Sequence, residues 1–536
     1  MRFTKAKLSL KHNRVHTSKN QFMYCKKLST AALSLLMLLN ITSTAQKPQS
    51  LPASIPEKEG VSSEGILNFL EAADKSKTEF HSVMILRHGK VITQGWWNPY
   101  APNLKHTMYS CSKSFTATAV GFAISEGKLN LSDKVISFFP NDLPDTVSAN
   151  LADLTVKDVL MMSDGQEPDP TFTVASRDSN WVKGFLGVPV KYDPGTTFLY
   201  NSLGTYMLSA IVQKVTGQKI IDYLTPRLFE PLGIEGMDWE VDPKGINTGG
   251  WGLRIKTEDM AKFGQLFLQK GKWNGKQILP AGWVEEASTL KIVQHPQYSQ
   301  AKRDSSDWEQ GYCYQMWRCR NNAFRGDGAF GQYIIVMPDQ DAVIAITAES
   351  PNMQDEINLV WQYLLPAMHN DKLPKNKQAE AALKQKLASL AVALPAKTSS
   401  PLAINNTWLI EPNSAHIQSL FFNFQNDRCV VNLTTENNFY QLTFGEGLWF
   451  PGQTTKHGPS LVAGAKASFV GLSPLKIDGA YNWKDKNTLV LSLRYIESPH
   501  TEKMTCVFEG KNISITLENS FDYGNKKLEL KGVVKE

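Results

Sequence analysis

Two apolar hairpins set far apart in the chain constrain its fold more than any other feature. Residues 82–87 and 91–95 flank the turn His88-Gly89-Lys90, and residues 331–337 and 342–347 flank Pro338-Asp339-Gln340. Short apolar runs on either side of such turn residues read as paired antiparallel strands. Segments of helical spacing lie before, between and after them, at 63–75, 155–162, 203–215, 257–268, 281–288 and 355–365. Strands supplied from both ends of a domain, with helices between them in sequence, predict an α+β fold: a central antiparallel sheet flanked by helices, not alternating βαβ units. The stretch 166–192 is rich in Asp, Pro, Ser and Trp and reads as a long loop. Long ordered loops inside a domain often carry function.

Beyond this region the texture changes. Residues 376–392 have helical spacing, and 396–401 (Ala-Lys-Thr-Ser-Ser-Pro) read as a linker. After it, short alternating apolar runs recur around Leu420, Val430, Leu442, Ile477, Leu489, Val507 and Ile513, with polar turns between them. This pattern predicts an all-β barrel or sandwich. The expected organisation is a leader at 1–45, an α+β domain at 46–370, a helical and Ser/Pro linker at 371–400 and a β-rich accessory domain at 401–536.

The leader carries Arg2, Lys5, Lys7, Lys11, Arg14, Lys19, Lys26 and Lys27 and no acid, then an apolar run over 28–41 and Ser43-Thr44-Ala45. That is the layout of a secretory signal peptide, with Met1 or Met23 as the start, so the mature chain is expected in the periplasm or outside the cell. Removing those eight cations turns the formal charge of +6 into about −2. The basic balance belongs to the leader, and nothing remains to support nucleic-acid binding. No later run is long enough to span a membrane. Cys111, Cys313, Cys319, Cys429 and Cys506 remain; an odd count leaves at least one thiol unpaired or intermolecular, and Cys429 and Cys506, both in the β-rich region, could pair.

The candidate chemistry lies in Ser110-Cys111-Ser112-Lys113-Ser114-Phe115. A Ser and a Lys three residues apart share one helix face. A serine hydroxyl needs an adjacent base, and a lysine serves only where desolvation keeps it neutral. The S-x-x-K spacing recurs at Ser125, Ser288, Ser299 and Ser473, but only Ser110 opens a long, nearly uncharged small-residue run, as a core-crossing helix would. Cys111 reads as a packing residue beside it. A G-x-S-x-G elbow, an H-E-x-x-H motif and paired Cys/His metal spacings are all absent from the sequence, so no metal and no cofactor is expected. The glycine-rich 245–253 segment lacks a Walker lysine or Rossmann spacing and reads as no nucleotide site.

The Ser110 segment, Leu154-Thr155-Val156-Lys157-Asp158-Val159-Leu160, Pro194-Gly195-Thr196-Thr197-Phe198-Leu199-Tyr200, Thr257-Glu258-Asp259-Met260-Ala261-Lys262-Phe263-Gly264 and Phe330-Gly331-Gln332-Tyr333 follow one another at wide spacing. Together they resemble the class C β-lactamase and penicillin-binding-protein-like serine hydrolases, a family that includes esterases, D-Ala-D-Ala carboxypeptidases and 6-aminohexanoate-dimer hydrolases. The resemblance implies Ser110 as acylated nucleophile, Lys113 as its base and Tyr200 as a proton relay whose phenolate a nearby ammonium would favour. It also implies an oxyanion hole shared between Ser110 N–H and a strand near Gly326–Gly328. Two departures bear on the substrate. Tyr-x-Asn stands here as Tyr200-Asn201-Ser202, and Phe324-Arg325-Gly326-Asp327-Gly328 replaces Lys-Thr-Gly. Ser202, Asn201, Arg325, Gly326, Asp327 and Gly328 are therefore the candidate oxyanion and substrate residues; Arg325 either supplies the missing cation or forms a salt-bridged loop with Asp327. The expected partner is a small neutral or amine-bearing amide or ester, not a favoured β-lactam. The alternative is a non-catalytic binding protein that docks a partner through its β-rich domain.

Overall fold

In the computed structural model, residues 50–395, 404–521 and 527–536 are described. The expected signal peptide and the 396–401 linker lie outside the described residues. Among the described residues the central sheet has six strands: β1 (Glu79–Arg87), β2 (Lys90–Trp96), β3 (Trp317–Arg318), β4 (Phe324–Gly328), β5 (Gln332–Met337) and β6 (Ala342–Glu349). Their order is β2-β1-β6-β5-β4-β3, and every neighbouring pair is antiparallel. The two hairpins are thus joined through β1 and β6, with Val83 opposite Ile346 and Ile85 opposite Ile344.

Both faces of this sheet are covered, which explains why its strands are apolar throughout. Met84, Leu86, Ile334, Val336, Val343 and Ala345 face one core, and Val83, Ile85, Tyr333, Ile335, Ile344 and Ile346 face the other. The two-residue alternation along each strand assigns these faces. On the second face lie α1 (Ser63–Lys75), which is capped by Ser62, and two later helices. On the first lie α2 (Ser112–Ser125), α3 (Ser202–Thr216) and α4 (Thr257–Leu268). Residues 112–123 of α2 are all buried, as expected of a helix without a polar face. Phe115 of α2 stacks on Phe263 of α4 with ring centroids 4.0 Å apart. Gly264 of α4 lets this helix lie against Val343 and Ile334, since a Cβ there would come within 2.6 Å of Val343.

The stretch 166–192 is not a plain loop. It holds two short helices, Thr171–Arg177 and Trp181–Leu186, whose Val174, Trp181 and Phe185 enter the core. Polar residues on the outer side hid that periodicity. On the second face, α5 (Met353–Leu359) follows β6, and α6 (Lys377–Ala388) packs on α1 through buried Leu383 and an ion pair between Lys386 and Asp74. The 371–400 segment therefore contributes to the core before it leaves the described residues.

The C-terminal region forms a closed barrel. Its strands are β7 (Thr407–Ile410), β8 (Ile417–Gln425), β9 (Arg428–Thr435), β10 (Phe439–Glu446), β11 (Phe450–Thr454), β12 (Leu475–Trp483), β13 (Thr488–Tyr495), β14 (Thr501–Glu509), β15 (Asn512–Asn519) and β16 (Leu528–Val534). They run β10-β9-β8-β7-β16-β15-β14-β13-β12-β11, and a parallel pairing of β10 with β12 closes the circuit. Cys429 and Cys506 both sit in the barrel core as free thiols, and Cys111, Cys313 and Cys319 are buried free thiols elsewhere. Ser50–Glu536 pack as one compact unit. Arg494 of β13 pairs with Glu79 of β1, and fully buried Arg254 binds both Asp238, at 2.5 Å, and Glu497, at 3.3 Å. A buried ion pair of this kind holds two surfaces in one arrangement, because removing either partner strands a charge out of water.

Candidate active site

Ser110 stands in a single tight helical turn, Tyr109–Cys111, that runs into α2. Lys113, one turn on, is 1% exposed. Its Nζ donates to Ser110 Oγ at 3.1 Å, to Ser202 Oγ at 2.9 Å and to the Gly250 carbonyl at 2.7 Å. Burial pulls the Lys113 pKa down to about 7, against the opposing pull of the Asp169 and Asp327 carboxylates. At neutral pH a large fraction of this amine is therefore unprotonated and able to accept a proton.

Tyr200 completes the cluster. Its ring lies 5.0 Å from Lys113 Nζ and stacks on Trp317 at 5.7 Å, and Ser110 acts on its hydroxyl. The effect expected of a nearby ammonium meets an opposing one. Burial, with Asp327 nearby, raises the Tyr200 pKa above its ordinary value, which favours the protonated phenol.

Four of the candidate residues thus converge: Ser110, Lys113, Tyr200 and Ser202. Asn201 does not join them. It is fully buried, caps α3 through the Gly204 N–H at 3.1 Å, and donates to Asp164 at 2.9 Å and Gln166 at 3.1 Å. Exchanging the order of Asn and Ser after Tyr200 places the amide in the core and the hydroxyl on Lys113.

Strand β4 explains the fate of the remaining candidates. Its alternation sets Gly326 and Gly328 on the face toward the Tyr109–Cys111 turn and α2, where a Cβ at Gly326 would lie 2.8 Å from Ser114 Oγ and one at Gly328 only 2.1 Å from the Met108 carbonyl. Only glycine permits β4 to come this close to Ser110. Arg325 and Asp327 occupy the other face. Arg325 is fully buried, donates to Asp327 at 3.0 Å and to the Asp307 and Arg318 carbonyls, and lies over Trp308. It therefore does not replace the missing cation for a substrate carboxylate. Burial raises the Asp327 pKa despite its Arg325 partner.

A family model described as Beta-lactamase matches residues 72–365. The chain belongs to the β-lactamase family. This β-lactamase-family chain is similar to the 6-aminohexanoate-dimer hydrolase of Paenarthrobacter ureafaciens, 28% identical over 287 residues that cover 50% of this chain and 72% of that protein. It is also similar to protein flp of Staphylococcus aureus strain MW2, 27% identical over 164 residues that cover 28% of this chain and 33% of that protein. A solved structure from Bacillus anthracis, provisionally named a 6-aminohexanoate-dimer hydrolase, shares the fold with a TM-score of 0.51 at 23% identity, over 62% of this chain and 90% of that one. The chain is a serine-hydrolase-type enzyme with the fold used on amide and ester substrates.

Three features of this β-lactamase-family site went unread in the sequence. Gly250, in the glycine-rich segment set aside above, supplies a carbonyl to Lys113; a Cβ there would come 2.6 Å from the Ser202 carbonyl. Asp169, at the exposed start of the helix Thr171–Arg177, bonds to Thr171 N–H at 2.9 Å and acts on Lys113 through its charge. Phe198, Tyr312 and Trp317 build an aromatic wall around Tyr200. Among the described residues, no group of three or more His, Cys, Asp or Glu side chains is placed to hold a metal ion, and no helix is long and apolar enough to cross a membrane.

Proposed function

We propose that this enzyme cleaves a small amide or ester through an acyl-enzyme on Ser110. The observation that carries the reading is Lys113 Nζ at 3.1 Å from Ser110 Oγ, with its pKa brought to about 7 by burial. Neutral Lys113 takes the Ser110 proton as Oγ adds to the substrate carbonyl. The negative charge on that carbonyl oxygen is met by the Ser110 N–H and the edge of β4, a geometry suited to oxyanion stabilisation. The Tyr200 phenol then gives its proton to the departing amine or alkoxide and regains one from the Lys113 ammonium. While charged, that ammonium is held by Gly250 O, Ser202 Oγ and the fields of Asp169 and Asp327. Water enters in place of the leaving group, and the same proton path runs in reverse to free the acid.

The site favours substrates with a neutral or cationic group near the scissile bond. Arg325 is buried against Asp327, whereas Asp169 lies at the exposed rim. This supports an amine-bearing amide over a carboxylate-bearing β-lactam. Intact-protein mass after exposure to a fluorophosphonate tests the proposal. One adduct is expected on the wild type and none on Ser110→Ala. An unlabelled, folded wild type would favour the non-catalytic alternative.

A further inference from the structure

The nucleophile turn is held from outside its own domain. Tyr109, the residue before Ser110, is buried and has φ of +44°, a left-handed conformation that bulky residues adopt only where the surroundings impose it. Its hydroxyl lies 2.6 Å from Nε2 of His500, a fully buried residue in the β13–β14 turn of the barrel. His500 Nδ1 lies 2.7 Å from Glu349 Oε1 at the end of β6, and Glu349 also accepts from Ser520 Oγ at 2.7 Å. This assigns the tautomer: Nδ1–H donates to the carboxylate, and Nε2 accepts the phenol proton. A second barrel segment reaches the same atom, since the Leu461 N–H donates to Tyr109 Oη at 3.5 Å. Thr107, two residues upstream, donates its N–H to the Glu497 carbonyl at 2.9 Å.

The same imidazole also touches the other side of the site. Phe330, just beyond β4 and itself at φ of +67°, packs edge-on against His500 at 4.6 Å and against Tyr109 at 5.5 Å. Both left-handed residues, one beside Ser110 and one beside the glycine strand facing it, share His500 as a neighbour, and Phe521 of the barrel backs both Phe330, at 5.0 Å, and His500, at 4.3 Å.

We propose that His500 is a positioning residue for Ser110, acting through Tyr109 and Phe330 to fix the nucleophile turn against β4, and that this is a function of the C-terminal barrel. The inference rests on Ser110 being the nucleophile. It gives the accessory domain a part in acylation that substrate binding alone would not require.

The test uses the full chain and a fluorophosphonate probe, separating the maximal labelling rate from the probe's half-saturation concentration. Tyr109→Phe removes one hydroxyl and leaves the ring, so it keeps the experiment interpretable if His500→Asn folds poorly. Each substitution is expected to lower the maximal rate about 10- to 100-fold, as small misplacements of a reacting atom do, with half-saturation unchanged. The double variant should be no slower than the worse single one. Ile515→Val, in the barrel core, should lower the melting temperature and leave the rate alone. Wild-type rates in folded Tyr109→Phe, losses that multiply in the double variant, or a loss confined to half-saturation would each overturn the inference. A wild type that labels on Ser110 separates these results from failure of the acyl-enzyme reading; a wild type that never labels ends both.

Discussion

Ser202 Oγ accepts a hydrogen bond from Lys113 Nζ at 2.9 Å, which ties the first residue of α3 to the second residue of α2. Lys113 is thus held beside Ser110 by a hydroxyl and by the Gly250 carbonyl, on two other segments of the chain. Ser202→Ala removes one of these holds and frees Lys113 to turn. Loss of a hydrogen bond to a charged group predicts a fall in fluorophosphonate labelling of about 10-fold. Stopped labelling time courses read by intact mass check it.

Asp169 works on Lys113 through charge. Its carboxylate favours the ammonium form and so raises the Lys113 pKa, against burial, which lowers it. Asp169→Asn removes an attraction for the proton. The pH at which labelling switches on should therefore move below the wild-type midpoint near 7, toward acid. A midpoint displaced toward alkali would show that the carboxylate acts in some other way.

Asn201 should matter for stability and little for binding. Asn201→Ala deletes the α3 cap and leaves the buried Asp164 and Gln166 acceptors without their donor. The combined cost should be about 2 kcal/mol. Chemical denaturation measures it, and half-saturation by the fluorophosphonate should stay at the wild-type value.

Gly328 should tolerate no side chain. A methyl group there would sit 2.1 Å from the Met108 carbonyl, so Gly328→Ala must push β4 away from the nucleophile turn. A displacement of that size predicts a labelling rate lower by about 100-fold in a protein that still folds, checked by circular dichroism alongside kinetics.

These residues also show what the sequence makes legible. The Ser110–Lys113 pair is visible because a local spacing of three residues fixes its geometry. The sheet is visible because each hairpin declares itself through its own turn and apolar runs. What escapes is non-local or directional. Ser202 is named from sequence as a substrate residue, but its bond to Lys113 is not, since Ser202 and Gly250 lie 89 and 137 residues beyond that lysine and no local pattern links them. His500 lies 391 residues beyond Tyr109. The direction of Arg325 depended on β4 register: one strand step separates a side chain facing Ser110 from one buried over Trp308. For Tyr200, a nearby ammonium can be named from sequence, whereas the burial that opposes its effect on the phenol cannot. In 166–192, charged and polar residues on the solvent side of two short helices obscured the few apolar positions that anchor them.

The most direct test of the account is the pH dependence of wild-type labelling by a fluorophosphonate, from about pH 5 to about pH 9. Lys113 accepts the Ser110 proton only when neutral, so the rate should rise through a single midpoint near 7 and then level, following the Lys113 pKa of about 7. In Lys113→Ala that rising limb should vanish, and the remaining rate should be lower by about 100-fold or more. A wild-type limb near the ordinary lysine value of about 10, or a flat profile that Lys113→Ala leaves unchanged, would contradict the assignment of Lys113 as the base.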